Sequence, residues 1–256
     1  MRYLKRHPDC KRLKNKRNNA PTDELSAKRA WRRFNKKDTR KSCYKIQQGL
    51  CAYTELSLDD RQLGSHLEHI APRSRFPERT FLPNNLVLSI LADDYSGHLP
   101  EEQRFAGHFK KSNYADDWFI TPYDERCERY FEYSATTGKV YPSQDLNETD
   151  QRKATKTILA LNLNCEYLVD ARLKQLSALE QKITTLLANL NIDSNQPDEH
   201  AERAFTELTA TVLNPTDRRL PEFYTAKQQL LKRYRSLMIN HPHLPDEFAP
   251  NAPALL

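Results

Sequence analysis

The longest periodic run of apolar positions lies in the second half of the chain. Ile158, Leu159, Leu161 and Leu163, then Leu168, Leu173, Leu176, Leu179, Ile183, Leu186, Leu187 and Leu190 recur largely at threes and fours, the spacing of a helical stripe turned toward a core. A polar break, DSNQPDE at 193–199, separates this stripe from a helix expected over about His200 to Leu213. A further helix is expected from about Pro221 to Met238, with Phe223, Leu230, Leu231 and Tyr234 on its apolar side, and the Pro-rich ending HPHLPDEFAPNAPALL predicts a frayed tail. Toward the start, Thr22 or Asp23 can cap a helix whose apolar positions Leu25, Ala30, Trp31 and Phe34 dock it onto the rest of the protein. The stretch before it, to about Pro21, is so charged and so broken by Asn and Pro that it reads as a mobile arm.

Between these helical flanks the texture changes. Prolines at 72, 77, 83 and 100 and glycines at 64, 97 and 107 interrupt short apolar runs such as LVLSIL, which predicts a loop-rich region of the kind that carries grafted chemistry. RYFEYSATTGKVYP then reads as a hairpin turning at Thr137 and Gly138. The expected class is α+β and mostly helical, in three segments: a basic arm and helix over 1–50, an irregular central region over 51–122, and a hairpin with a helical scaffold over 123–256. No internal repeat stands out.

Charge sharpens this division. Residues 1–41 hold sixteen Lys and Arg against four acids, whereas the remainder holds 24 against 30, so the net charge of +6 is a local device at one end. Such a block attracts polyanions through counterion release; Arg32, Arg33, Lys36 and Lys37 are the candidate nucleic-acid contacts there, and a merely solvated basic face is the bland alternative. With 38% hydrophobic residues and no run near the ~20 apolar positions of a membrane helix, no membrane partner is expected. The opening MRYLKRHPDCKRLK has no apolar leader core, which predicts a cytoplasmic address. Cys10, Cys43, Cys51, Cys127 and Cys165 form no CxxC pair and are odd in number, and read as reduced thiols.

The candidate chemistry sits in the central region. In GSHLEHIAP, strand alternation puts His66 and Glu68 on one face and His69 on the other or at the strand end. Asn85 follows in PNNLVLS, then His98 and His108 in two Gly-His pairs, the second continuing to Lys110. A histidine beside a carboxylate, an Asn and a further histidine can together hold a divalent ion and activate water against a phosphate. Taken singly, each histidine is more often a hydrogen-bonded or surface residue.

The ordered set LEHIAPRS, TFLPNNLVLS, GHFKKSNY, CERYFEYSATTGKVYP and TILALNLNCEYLVDARLKQL, with RRLPEFYTAKQQLLKRY near the end, resembles the HNH nuclease subunit of the Septu anti-phage systems, the PtuB-like family, over roughly residues 25–240. The resemblance implies a ββα-metal (HNH) centre embedded between the basic helix and the helical region. It makes His69 the general base, Glu68 a metal ligand, Asn85 the central Asn and His108 the third element, with His66 a second candidate ligand. His98 stays open as an alternative to His108; Lys110 and Arg73 are implied phosphate contacts. The implied cofactor is a divalent metal, Mg2+ or Mn2+, with Zn2+ or Ni2+ as softer candidates. The implied partners are nucleic acid (DNA or tRNA), a PtuA-like ATPase and, in retron systems, a reverse transcriptase with its RNA-linked DNA. Relatives carry a structural zinc knuckle, of whose cysteines only Cys51 is present here, so the knuckle is expected to be absent and the segment between Asn85 and His108 to be held by Leu86, Leu88, Ile90 and Phe105 instead. The rival expectation is a catalytically decayed HNH fold acting as a nucleic-acid-binding or assembly adaptor.

Overall fold

The computed structural model describes residues 1–4, 11–189 and 199–240. Roughly half of the chain is helical, with two small antiparallel sheets, so the class is α+β. Cys10, Leu190, the polar break at 193–198 and the tail from 241 lie outside the described residues.

At the N-terminal end a short helix α1 (Lys11–Arg17) precedes α2 (Glu24–Arg33) and α3 (Lys37–Gln47). Asp23 caps α2 by accepting from the Ser26 amide at 2.9 Å, while the Ser26 hydroxyl accepts from the Asp23 amide at 3.4 Å; a cap of this type contributes about 1 kcal/mol. Trp31 and Phe34 are buried as expected, stacked 5.5 Å apart and resting on Phe81. Leu25 corrects the expectation. It is 56% exposed, and Ala27, one turn before Trp31, takes the inward position. The arm is corrected too: Met1, Leu4 and Leu13 are buried in the main core, the Leu4 amide donates to the Pro122 carbonyl at 2.8 Å, and the Met1 ammonium pairs with Glu55 at 3.1 Å. The charges of this segment ride on a few apolar anchors that composition averages out.

The centre is built on β1 (Ser65–His69) paired antiparallel with β2 (Leu86–Ile90), in the register His66 to Ser89 and His69 to Leu86. Every residue of β2 is buried, because β1 covers one edge and α3 the other. Gln47 at the end of α3 acts as a surrogate strand: its amide accepts from the Leu88 N–H at 2.7 Å and donates to the Leu88 and Leu50 carbonyls at 2.9 and 2.7 Å. Two short helices follow, α4 (Asp93–Gly97) and α5 (Gly107–Lys110). Leu86, Leu88, Ile90 and Phe105 are all at most 2% exposed, and the Cys51 thiol accepts from the Ile90 amide at 3.4 Å.

The second sheet is the expected hairpin, β3 (Phe131–Tyr133) with β4 (Val140–Pro142), turning through Gly138 at φ +69°. The long apolar stripe is divided into α6 (Glu148–Ala160) and α7 (Glu166–Asn189), followed by α8 (Glu199–Leu213) and α9 (Tyr224–Asn240). Leu168, Leu176, Leu179 and Ile183 are buried, whereas Leu159 is 67% exposed. The break between α6 and α7 contains LNLN, and both asparagines are clamps. Asn162, at φ +48°, donates to the Glu102 and Arg104 carbonyls at 3.0 and 2.8 Å; Asn164 exchanges two 2.8 Å bonds with Val140 of β4. The buried Arg172 of α7 then ties the Leu163 carbonyl to that of Gly138. Buried residues from all three segments form one cluster. No helix among the described residues is long and apolar enough to cross a membrane.

Candidate metal centre

Strand alternation in β1 points Leu67 and His69 inward and leaves His66 and Glu68 half-buried on the other face, toward an open cleft of about 400 Å³. The start of the strand is pinned by Arg40, whose guanidinium donates to the Ser65 carbonyl and hydroxyl at 3.2 and 2.9 Å. Just past β2, Leu91 is forced to φ +72°, a conformation non-glycine residues rarely adopt. Its carbonyl accepts from His66 Nδ1 at 2.7 Å, which orients the ring with Nε2 toward Glu68 Oε2 at 3.2 Å. The residues flanking α5, Ala106 and Lys111, are at φ +55° and +48°. Three left-handed residues thus border β2 and α5.

α5 carries His108 against His66, ring centroids 4.2 Å apart. The approach requires Gly107: a Cβ there would stand 2.8 Å from Glu68 Cδ and 3.0 Å from His66 Nε2. The Gly107 amide also donates to Ser89 Oγ at 3.2 Å. Ser96 Oγ donates to the Asp93 carbonyl at 3.1 Å and lies 3.2 Å from His108 Nδ1. With its proton spent on Asp93, that oxygen accepts from Nδ1–H, and this hydrogen-bond assignment leaves Nε2 with the lone pair. His108 Nε2 is buried without a hydrogen-bond partner, 3.4 Å from Asp93 Oδ1.

His66, Asp93 and His108 offer ligand atoms within 4.8 Å of one another, so the group could hold a metal ion. An orphaned imidazole nitrogen, two rings fixed through their other nitrogen, and nearby carboxylates form the donor set and the supporting contacts such an ion needs. Burial alone raises the Glu68 carboxyl, but Lys110 and His66 outweigh it and hold the group well below the usual carboxylate range. Burial pushes His66 down, yet its bonds to Glu68 more than offset this and its pKa rises. His108 is lowered, first by burial and then by the neighbouring His66.

His69 lies on the inner side, 7% exposed, at the end of β1. Its Nε2–H donates to the Thr80 carbonyl at 3.1 Å, leaving the lone pair on Nδ1, and the Trp31 ring meets it edge-on at 4.4 Å. Burial lowers its pKa to about 4, so at neutral pH it is an uncharged base bordering the cleft. Asn85 touches none of the donor atoms. Its amide accepts from the Ala71 N–H at 2.7 Å and donates to the Ala71 and Arg79 carbonyls at 3.0 Å, clasping the two ends of the β1–β2 connection.

Several sequence-derived assignments land elsewhere. Lys110 is fully buried, its ammonium enclosed by Glu68 and three backbone carbonyls, and has no path to a phosphate. Lys36 is half-buried and donates to the Trp31 and Phe34 carbonyls at 3.0 and 3.4 Å, so it closes α2. His98 is exposed at the end of α4, outside the donor cluster. Arg73 lines the cleft and lies 6.0 Å over the Trp31 ring; Arg32, Arg33 and Lys37 are exposed and make no ion pair among the described residues. Asp93 and Ser96 were missed in the sequence, where only the acidic doublet ahead of a Gly-His pair hints at them. No family model matches the chain, and no curated protein matches it.

Proposed function

We propose that this protein is a metal-dependent HNH endonuclease that hydrolyses phosphodiester bonds of nucleic acid, DNA or tRNA, as the effector of a Septu-type anti-phage system. It works with a PtuA-like ATPase and, in a retron setting, with a reverse transcriptase and its RNA-linked DNA. The observation that carries the reading is the uncharged His69 at the end of an antiparallel strand pair, sharing one cleft with the His66, Asp93 and His108 donors carried by that pair and two short helices.

A divalent cation bound there supplies Lewis-acid stabilisation of charge at the scissile phosphate. His66, Asp93 and His108, with Glu68 Oε2 beside them, would hold it. Two imidazoles with carboxylates suit Mn2+, Ni2+ or Zn2+ better than Mg2+, which prefers an all-oxygen shell. His69 Nδ1 takes the proton of the water that attacks phosphorus, and Thr80 and Trp31 keep its ring in place. The P–O bond to the leaving oxygen breaks as the new P–O bond forms. Arg73 and Lys28 on the cleft wall, continued by the exposed Arg32 and Arg33 of α2, present positive charge to the backbone without reading bases.

The second reading, a decayed HNH fold serving as an adaptor, is favoured by one observation: Glu68 is already satisfied by Lys110 and His66. Cleavage of plasmid, single-stranded DNA and total tRNA in Mn2+, with and without the ATPase, separates the two. The nuclease reading expects His69→Ala to lower cleavage at least ~100-fold while nucleic-acid binding and folding persist; full activity in this variant overturns it. An adaptor instead binds nucleic acid equally in chelator and gains no thermal stability from Mn2+.

A further inference from the structure

Lys110 is among the largest fully buried side chains of the protein, and an ammonium in such a place needs a reason. Its Nζ stands 2.9 Å from Glu68 Oε1 and donates to the carbonyls of His69, Ile70 and Lys111 at 3.2, 3.1 and 3.2 Å. Four oxygens thus surround three N–H bonds, and the cation joins the exit of β1 to the end of α5, two residues beyond His108. Its effect on Glu68 is asymmetric. Oε1 is engaged by Lys110, while Oε2 alone faces His66 Nε2 at 3.2 Å.

We propose that Lys110 is a positioning residue that restricts Glu68 to one donor oxygen and tempers the negative charge of the centre, so that a bound cation keeps a coordination position open for water or phosphate. The inference rests on the metal-dependent reading above. A carboxylate released from such a partner can offer both oxygens to a divalent ion and close the shell around it. The buried charge is therefore a brake on metal affinity that serves turnover. This role differs from a phosphate contact, which the burial of Nζ excludes, and from simple packing, which would leave metal affinity unchanged or make it weaker when disturbed.

The test uses the full chain with the substitution Lys110→Met, which keeps the length and removes the charge. Calorimetry with Mn2+ is expected to show binding at least about tenfold tighter than wild type, as loss of a unit charge a few ångströms away implies at an effective dielectric of about 20. Turnover on single-stranded DNA falls, while DNA affinity in chelator and its salt dependence stay as in wild type. Unchanged or weaker Mn2+ binding overturns the proposal, and so does lower DNA affinity with a shallower salt slope, the mark of a lost phosphate contact. If Lys110→Met does not fold because it strands the Glu68 charge, Lys110→Gln, which keeps an N–H donor for Glu68 Oε1 and removes the positive charge, carries the same Mn2+ titration. Tighter Mn2+ binding than wild type in it supports the proposal, and unchanged or weaker binding overturns it. A wild-type protein that neither binds Mn2+ nor cuts any substrate removes the nuclease reading together with this inference. Binding and cutting by the wild type, with Lys110→Met indistinguishable from it, removes the inference alone.

Discussion

The two antiparallel strand pairs of this protein are similar in size and opposite in construction. β3 and β4 are joined by a short turn through Thr137 and Gly138 and are held from outside by Asn164 and by Gln229 of α9, which donates to the Phe131 carbonyl at 2.8 Å. β1 and β2 are separated by residues 70–85, a connection of proline turns closed on itself by Asn85. The first pair turns by local chemistry, and the buried charges beside it, the Met1 ammonium at Tyr133 and Arg172 at Gly138, tie it to other segments. The second depends on distant elements, places His66 and Glu68 at a cleft, and has strained backbone at Leu91, Ala106 and Lys111 nearby. Around β1 and β2 a buried ammonium, Lys110, and these three left-handed residues stand where several elements converge, and the rest of the core has to support them.

Substitutions can break this contrast, and Gly138→Ala is expected to do the most damage. An added Cβ would lie 2.4 Å from the Val169 carbonyl oxygen at a left-handed φ, so a loss of about 3 kcal/mol in chemical denaturation is expected. Metal affinity of the folded fraction should not change, since the clash is confined to the other hairpin. Asn85→Ala comes next, at about 2 to 3 kcal/mol, because it strands the Ala71 amide and the two carbonyls it bonds inside the protein. Here cleavage should fall further than the folded fraction does, since His69 is two residues before Ala71.

Gly107→Ala reverses the balance between stability and function. Its Cβ would first meet the ends of the Glu68 and His66 side chains rather than backbone, so stability falls by about 1 kcal/mol while Mn2+ affinity drops on the order of tenfold or more through misplaced ligands. Titration calorimetry and a thermal melt on the same sample check both parts. The smallest effect belongs to the Arg79–Asp116 pair, joined at 2.6 and 2.8 Å beside the turn that presents Thr80. Its hydrogen bonds to Arg79 and Tyr114 depress the Asp116 carboxyl to about 2. The folded value lies below the ordinary one of 3.8, so the contribution is complete above that ordinary value and is lost as pH falls through about 2. Because Asp116 is more than half exposed, Asp116→Asn should cost well under ~1 kcal/mol at pH 7, and the wild-type advantage should vanish in melts near pH 2.

Much of this organisation was legible in the chain. Alternation in SHLEH placed His66 and Glu68 together, Asp23 announced the start of α2, the Thr-Gly pair marked the turn of the second hairpin, and spacing by threes and fours marked the last helices. These signals are local: each depends on residues within one turn or one strand. The basic segment was read less well. Its charge hid the apolar anchors Met1, Leu4 and Leu13; Met1 and Leu4 have partners more than a hundred residues away, Tyr133 and Pro122. Lys110 looks solvated among basic residues until carbonyls about forty residues away are brought to it, whereas Lys36 bends back to carbonyls two and five residues before it.

The sequence by itself determined α2, the second hairpin, the helical character of the second half, the face on which His66 and Glu68 stand, and the neighbourhood of Asn85 and His108, because periodicity and turn chemistry act over a few residues. Only the tertiary structure decided that Asp93 joins His66 and His108, that His98 does not, that Asn85 clasps a loop, and that Lys110 is an internal counter-ion. Those outcomes turn on burial and on distances of about 3 Å between segments far apart in the chain, and no short-range pattern encodes which distant carbonyl, carboxylate or imidazole will stand there when the core closes.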